Sequence, residues 1–152
     1  MPADILKPEN VRFIIIHSSA TSPDTPVDRD VIDRWHRQRG WFGVGYHFVI
    51  TRSGEVQEGR PLDAAGAHTL GYNRVSIGIC MAGGADAKGK AQDNFTDDQW
   101  EALGALVVRL RGQFPKAALR GHRDMPGNAT ECPSFDVQQW ARETLDEPDV
   151  SA

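Results

Sequence analysis

The stretch "VRFIIIH", residues 11–17, constrains the fold more than any other part of this chain. A continuous β-branched apolar run offers no polar face to water. It therefore reads as a strand covered on both sides, the situation of a parallel strand inside an α/β sheet. The run stops abruptly at His17, and the following "SSATSPDTP" reads as loop. "VSIGICMAG", residues 75–83, has the same buried character, and "AALRGH", residues 117–122, reads as a shorter strand. "GYHFVITRSGEVQEGR", residues 45–60, reads as a hairpin turning at "RSGE".

Helical periodicity fills the gaps. "VDRDVIDRWHRQRGW", residues 27–41, puts Val27, Val31, Ile32 and Trp35 on one stripe, with Gly40 as the stop. "NFTDDQWEALGALVVRLRGQFP", residues 94–115, opens with a Thr96–Gln99 capping box and carries Trp100, Leu103, Leu106, Val107 and Leu110 on its apolar face. Gly104 costs that helix about 1 kcal/mol against alanine, which points to close packing there. Ser134 or Asp136 caps a last helix through Trp140, and the terminal "DEPDVSA" is expected to fray. The order β-α-β-β-β-α-β-α implies an α/β fold: one domain over residues 1–152, core about 11–145, with a central mixed sheet flanked by helices.

A chain of 152 residues with net charge -4 has no general attraction for nucleic acid or an anionic surface. No run is long enough to span a membrane, and the N-terminus shows no apolar signal segment. A cytoplasmic chain is the expectation, with Cys80 and Cys132 as free thiols.

The chemistry-bearing residues gather at strand ends. His17 closes the first strand, His122 closes "AALRGH", and Cys132 follows in a polar loop. If those two strands are neighbours, two imidazoles and a thiolate converge and leave a fourth corner open, the pattern of a catalytic zinc site. Spacing alone does not require this. No HExxH or paired CxxC motif is present, and on pattern alone loop histidines beside an ordinary thiol are the better account.

The blocks "IIIHSSAT", "IDRWHRQRGW", "GYHFVITRSGEVQEGR", "AGAHTLGYNRVSIGICMAGG", "NFTDDQ" and "GHRDMPGNATECPSFD" resemble the zinc-dependent N-acetylmuramoyl-L-alanine amidases. That family includes the peptidoglycan recognition proteins and the small phage lysozyme-type endolysins, and the likeness to the latter is strongest. It runs from about residue 11 to 140. The resemblance implies that family's fold and hydrolysis of the amide joining muramic acid to L-alanine. It makes His17, His122 and Cys132 the zinc ligands and Tyr46 the catalytic tyrosine. Thr130, where some phage members carry lysine, becomes an oxyanion or carbonyl contact, and His68 and Asn73 become substrate contacts. It further implies a monomer that binds peptidoglycan and reaches the wall from the host cytoplasm through a membrane lesion. Some phage relatives also bind phage RNA polymerase, so a polymerase is a candidate second partner. A non-catalytic wall-binding module and a cysteine peptidase using Cys132 and His122 are the rival readings.

The remaining candidates read as structure. His47 should point away from Tyr46 and sit satisfied in the core. His36 belongs to the surface or to helix packing, Cys80 to the core, and Asn73 would serve equally as a turn residue. Glu131, beside Cys132, tempts as a general base, but adjacent loop residues often diverge. "GGADAKGKA", residues 83–91, imitates a phosphate loop but has Ala91 where Ser or Thr is needed, so it reads as a flexible surface loop.

Overall fold

The computed structural model of the chain describes residues 4–145. The strands are β1 (Phe13–Ser18), β2 (Phe48–Ile50), β3 (Val56–Glu58), β4 (Ser76–Met81) and β5 (Ala118–Gly121). They form one sheet in the order β3-β2-β4-β1-β5, parallel throughout except for the antiparallel edge pair β2–β3. The helices are α1 (Arg29–Gln38), α2 (Asp97–Gln113) and α3 (Val137–Leu145). This is the single-domain mixed sheet that the element order implies.

The run that opens β1 behaves as its composition demands. Ile14, Ile15 and Ile16 are all fully buried, each contributing about 1.5–3 kcal/mol relative to exposure. Alternation sends Ile14 and Ile16 toward α2 and α3, where they meet Leu103, Leu106, Val107 and Leu110. The opposite face packs Val49, Cys80 and Ala82 against Ile32 and Val27. The functional side chains emerge from this second face.

The capping box of α2 is present: Thr96 accepts from the Gln99 N–H, and the Gln99 side chain accepts from the Thr96 N–H. Gln99 is fully buried, and its amide also donates to the carbonyls of Ala82 (2.8 Å) and Ile50 (3.3 Å), tying the helix start to two strand ends. Asp136 caps α3 by accepting from Gln139 N–H at 3.0 Å, while the Ser134 hydroxyl donates to the Gly84 carbonyl. Gly40 ends α1 at φ +88°, a conformation that favours glycine.

Three expectations need correction. The buried positions of α1 are Ile32 and His36, with Val31 and Trp35 only half-buried, and the buried His36 is satisfied by the Gly45 N–H at 2.8 Å. Among the described residues a Cβ at Gly104 would meet only Leu145 Cδ2, at 3.8 Å, an ordinary contact that does not demand glycine. The last helix continues past Trp140 to Leu145. The terminal "DEPDVSA" lies outside the described residues.

The phosphate-loop mimic is occupied by its own chain. The Asp86 carboxylate accepts from the N–H groups of Lys88 and Lys90, both at 2.9 Å, where a phosphate would have to sit.

Candidate metal centre

β1 lies directly beside β5, so the two strands that end near histidines are parallel neighbours. His17 pairs in register with Cys80 of β4 and is only 1% exposed, and His122 opens the single 3-10 turn that follows β5. Their ring centroids are 4.6 Å apart. The loop after that turn returns Cys132 to the end of β1, where the Ser18 N–H donates to Sγ at 3.2 Å. A second bond, Arg123 N–H to the Cys132 carbonyl at 2.8 Å, ties the loop to the turn that carries His122. Phe135, three residues on, anchors the segment by an edge-to-face contact with Trp100 of α2 at 4.8 Å. The ligand atoms of His17, His122 and Cys132 all fall within 4.8 Å of one another.

A chain of hydrogen bonds sets the state of His17. The Ser76 hydroxyl donates to the Tyr72 carbonyl at 2.7 Å, so its oxygen can only accept from His68 Nε2, 3.3 Å away. His68 Nδ1 is therefore the unprotonated nitrogen, and it accepts from His17 Nε2–H at 2.8 Å. His17 is left with its lone pair on Nδ1. Gly78 makes room for this arrangement, since a Cβ there would meet the His68 ring at 2.7 Å.

Electrostatics keep these rings neutral. Burial, then the nearby His68 and His122, holds His17 well below the usual histidine pKa. Burial followed by His47 does the same for His68, and burial lowers His122. Burial pushes the Cys132 thiol up to about 11, partly opposed by its bonds to Ser18. Two neutral imidazoles and a thiol, with a backbone N–H already aimed at the sulfur, match the donor set of a three-ligand zinc site.

Tyr46 stands over His17 with a ring separation of 5.0 Å and faces His36 at 5.6 Å. Burial, then the thiols of Cys80 and Cys132, keeps its phenol well above the ordinary tyrosine pKa, so it remains a hydrogen-bond donor at neutral pH. Thr130 is exposed, its Oγ1 accepting from the Cys132 N–H at 3.1 Å and its own hydrogen uncommitted by that bond. The Asn73 Oδ1 accepts from both His68 N–H and Thr69 N–H at 2.9 Å, the turn-fixing role, while its side chain still lines the cleft. Glu131 is exposed. His47 is the satisfied core histidine expected, donating from Nε2 to the Ala64 carbonyl and accepting at Nδ1 from the Gly78 N–H. Ser76, Thr69 and Asn128 also belong to this centre, and no local sequence pattern marks them. Some of their partners are near in sequence, Tyr72 for Ser76 and His122 for Asn128, while the links of Thr69 to His17 and of Asn128 to Leu70 join distant segments.

The cleft above the centre has a volume of about 490 Å³, bounded by Arg39, Trp41, Tyr46, Leu70, Asn73 and Asn128. A neighbouring cavity of about 530 Å³ shares Trp41, Ala67 and Asn73 with it and adds Arg60 and Arg74. The chain is acidic overall, yet Arg39 and Arg60 line this groove, while Arg74 is paired with Asp4 at 2.7 Å on the same wall.

Comparison with known proteins agrees with this geometry. Residues 7–135 match the family described as N-acetylmuramoyl-L-alanine amidase. The chain is 44% identical over 136 residues to an endolysin of Enterobacteria phage K11, covering 90% of this chain and 89% of that one. It is 45% identical over 132 residues to the endolysin of Escherichia phage T7, covering 87% and 86%. Among solved structures, the N-acetylmuramoyl-L-alanine amidase LysC from Clostridium intestinale URNW superposes with a TM-score of 0.77 at 29% identity, covering 97% of this chain and 94% of that one. The chain belongs to the N-acetylmuramoyl-L-alanine amidase family.

Proposed function

We propose that this protein is a zinc-dependent endolysin that hydrolyses the amide between the lactyl group of muramic acid and the L-alanine of the stem peptide. The observation that carries the reading is the convergence of His17, His122 and Cys132 at the ends of β1 and β5, beneath Tyr46 and open to a cleft. Zinc bound there would lower the pKa of a water toward about 7 and polarise the scissile carbonyl.

The protein's own groups supply the rest. His17 and His122 would hold the ion as neutral ligands and Cys132 as a thiolate. Tyr46, kept protonated, donates a hydrogen bond to the oxyanion as the carbonyl carbon becomes tetrahedral. Thr130, whose hydroxyl hydrogen is not committed by its bond from the Cys132 N–H, would donate to the same oxygen or to the substrate carbonyl. His68 acts through His17 by fixing its tautomer, and Asn73 holds the His68 backbone in place. Arg39 and Arg60 give the groove a charge that suits the carboxylates of a stem peptide.

We further propose that the enzyme works as a monomer, accumulates in the host cytoplasm and meets its wall after a membrane lesion. The cysteine-peptidase rival is disfavoured by a Cys132 thiol that burial holds at about 11, far from a thiolate at neutral pH without a metal.

Mass spectrometry of purified peptidoglycan treated with the zinc-loaded protein tests the reading. Free stem peptides beginning with L-alanine, beside intact glycan chains, are expected. Cut sugars or cuts within the peptide would refute it, and a bound but undigested wall would establish the binding-module alternative.

A further inference from the structure

Asn128 sits in the connection between His122 and Cys132, and its amide has a determined orientation. Nδ2 lies 3.1 Å from the Leu70 carbonyl and 3.2 Å from the Pro126 carbonyl. Carbonyl oxygens only accept, so Nδ2 donates to both and Oδ1 is turned the other way. That oxygen lies 3.0 Å from His122 Nε2. An amide oxygen also only accepts, so Nε2 must carry the hydrogen and the lone pair of His122 is left on Nδ1. The outcome for His122 is the same as the one the Ser76–His68 chain produces for His17, reached through a different residue.

We propose that Asn128 is a positioning residue of the metal centre: it holds His122 in the Nε2–H tautomer, leaving Nδ1 for the metal, and fastens the ligand-bearing loop to the opposite rim of the cleft at Leu70. The proposal rests on the metal reading above. A neutral imidazole free of partners exchanges between two tautomers and rotates about its side-chain bonds. A ligand held in one tautomer and one orientation binds with less ordering to do. Leu70 is 75% exposed, so the tie to its carbonyl is made where little apolar packing of that side chain holds the rim.

Two substitutions in the full chain separate the roles. Asn128→Ala removes both ends of the bridge. Asn128→Asp keeps an oxygen to accept from Nε2–H but can no longer donate to Leu70. Zinc affinity is read by competition with a chromophoric chelator, and the His122 tautomer by nitrogen NMR of the metal-free protein. Asn128→Ala is expected to weaken zinc binding by about 10–100-fold and to let His122 populate both tautomers. Asn128→Asp is expected to keep the Nε2–H tautomer and to bind zinc more tightly than Asn128→Ala. Unchanged zinc affinity and tautomer in Asn128→Ala would overturn the proposal. Equal zinc losses in the two variants with an unaltered tautomer would overturn it as well. Should the wild-type chain bind no zinc, the function proposed above fails, while the tautomer shift in metal-free Asn128→Ala still decides what Asn128 does.

Discussion

The buried His47 makes acid stability calculable. It is 1% exposed, donates to the Ala64 carbonyl at 2.7 Å and accepts from the Gly78 N–H at 3.1 Å. Protonating Nδ1 would set an N–H against the Gly78 N–H in a site closed to bulk solvent. Burial, the main cause, lowers its pKa from 6.5 to about 4. The unfolded chain therefore takes up a proton that the folded chain refuses, and stability falls as pH drops below 6.5 and on through about 4. From those two values, His47 costs about 2 kcal/mol at pH 5 relative to pH 7 and about 3 kcal/mol below pH 4. The assay is denaturant unfolding of the metal-free chain at pH 7 and pH 5, for wild type and His47→Gln. The glutamine keeps a donor for Ala64 but has no proton to gain, and its loss of the Gly78 contact, about 1–3 kcal/mol, is present at both pH values. The other histidines titrate in both proteins. Wild type should thus lose about 2 kcal/mol more than the variant between pH 7 and pH 5. Equal losses in the two proteins would refute the reasoning.

Three further outcomes are expected at the proposed centre. Cys132→Ser should lose most bound zinc and activity, because a neutral hydroxyl is a far poorer ligand than thiolate; stoichiometric zinc by elemental analysis would contradict it. Tyr46→Phe should keep its zinc while turnover falls by about 10²–10³, and full activity would remove Tyr46 from the mechanism. Ser76→Ala leaves His68 Nε2 without its acceptor, frees the tautomer of His17 and should weaken zinc about 10-fold; chelator competition at wild-type affinity would exclude that chain of bonds.

Much of this protein is written locally. The β-branched run of β1, the apolar stripe of α2 and its capping box each depend on residues within a few positions of one another. Periodicity and capping read those relations directly, and they suffice for one α/β domain with histidines at two strand ends. That reading leaves His36 open between the surface and helix packing, because the Gly45 N–H that satisfies it when buried arrives from outside α1. Gly104 misled it, since helix propensity prices a glycine without saying what packs beside it.

The site is a different matter. Residue types and order name His17, His122 and Cys132 as candidates, but only the adjacency of β1 and β5 brings them within one ion's reach. Which nitrogen each imidazole presents depends on Ser76, Tyr72, Asn128 and Leu70, through bonds that range from the local Ser76–Tyr72 contact to the His17–His68 and Asn128–Leu70 contacts between segments far apart in sequence. A hydrogen bond has no period and leaves no trace in composition. Chain-local patterning therefore determines the elements and the ligand types, whereas the tautomers, burial and orientation that make a metal site arise only when distant segments close on one another.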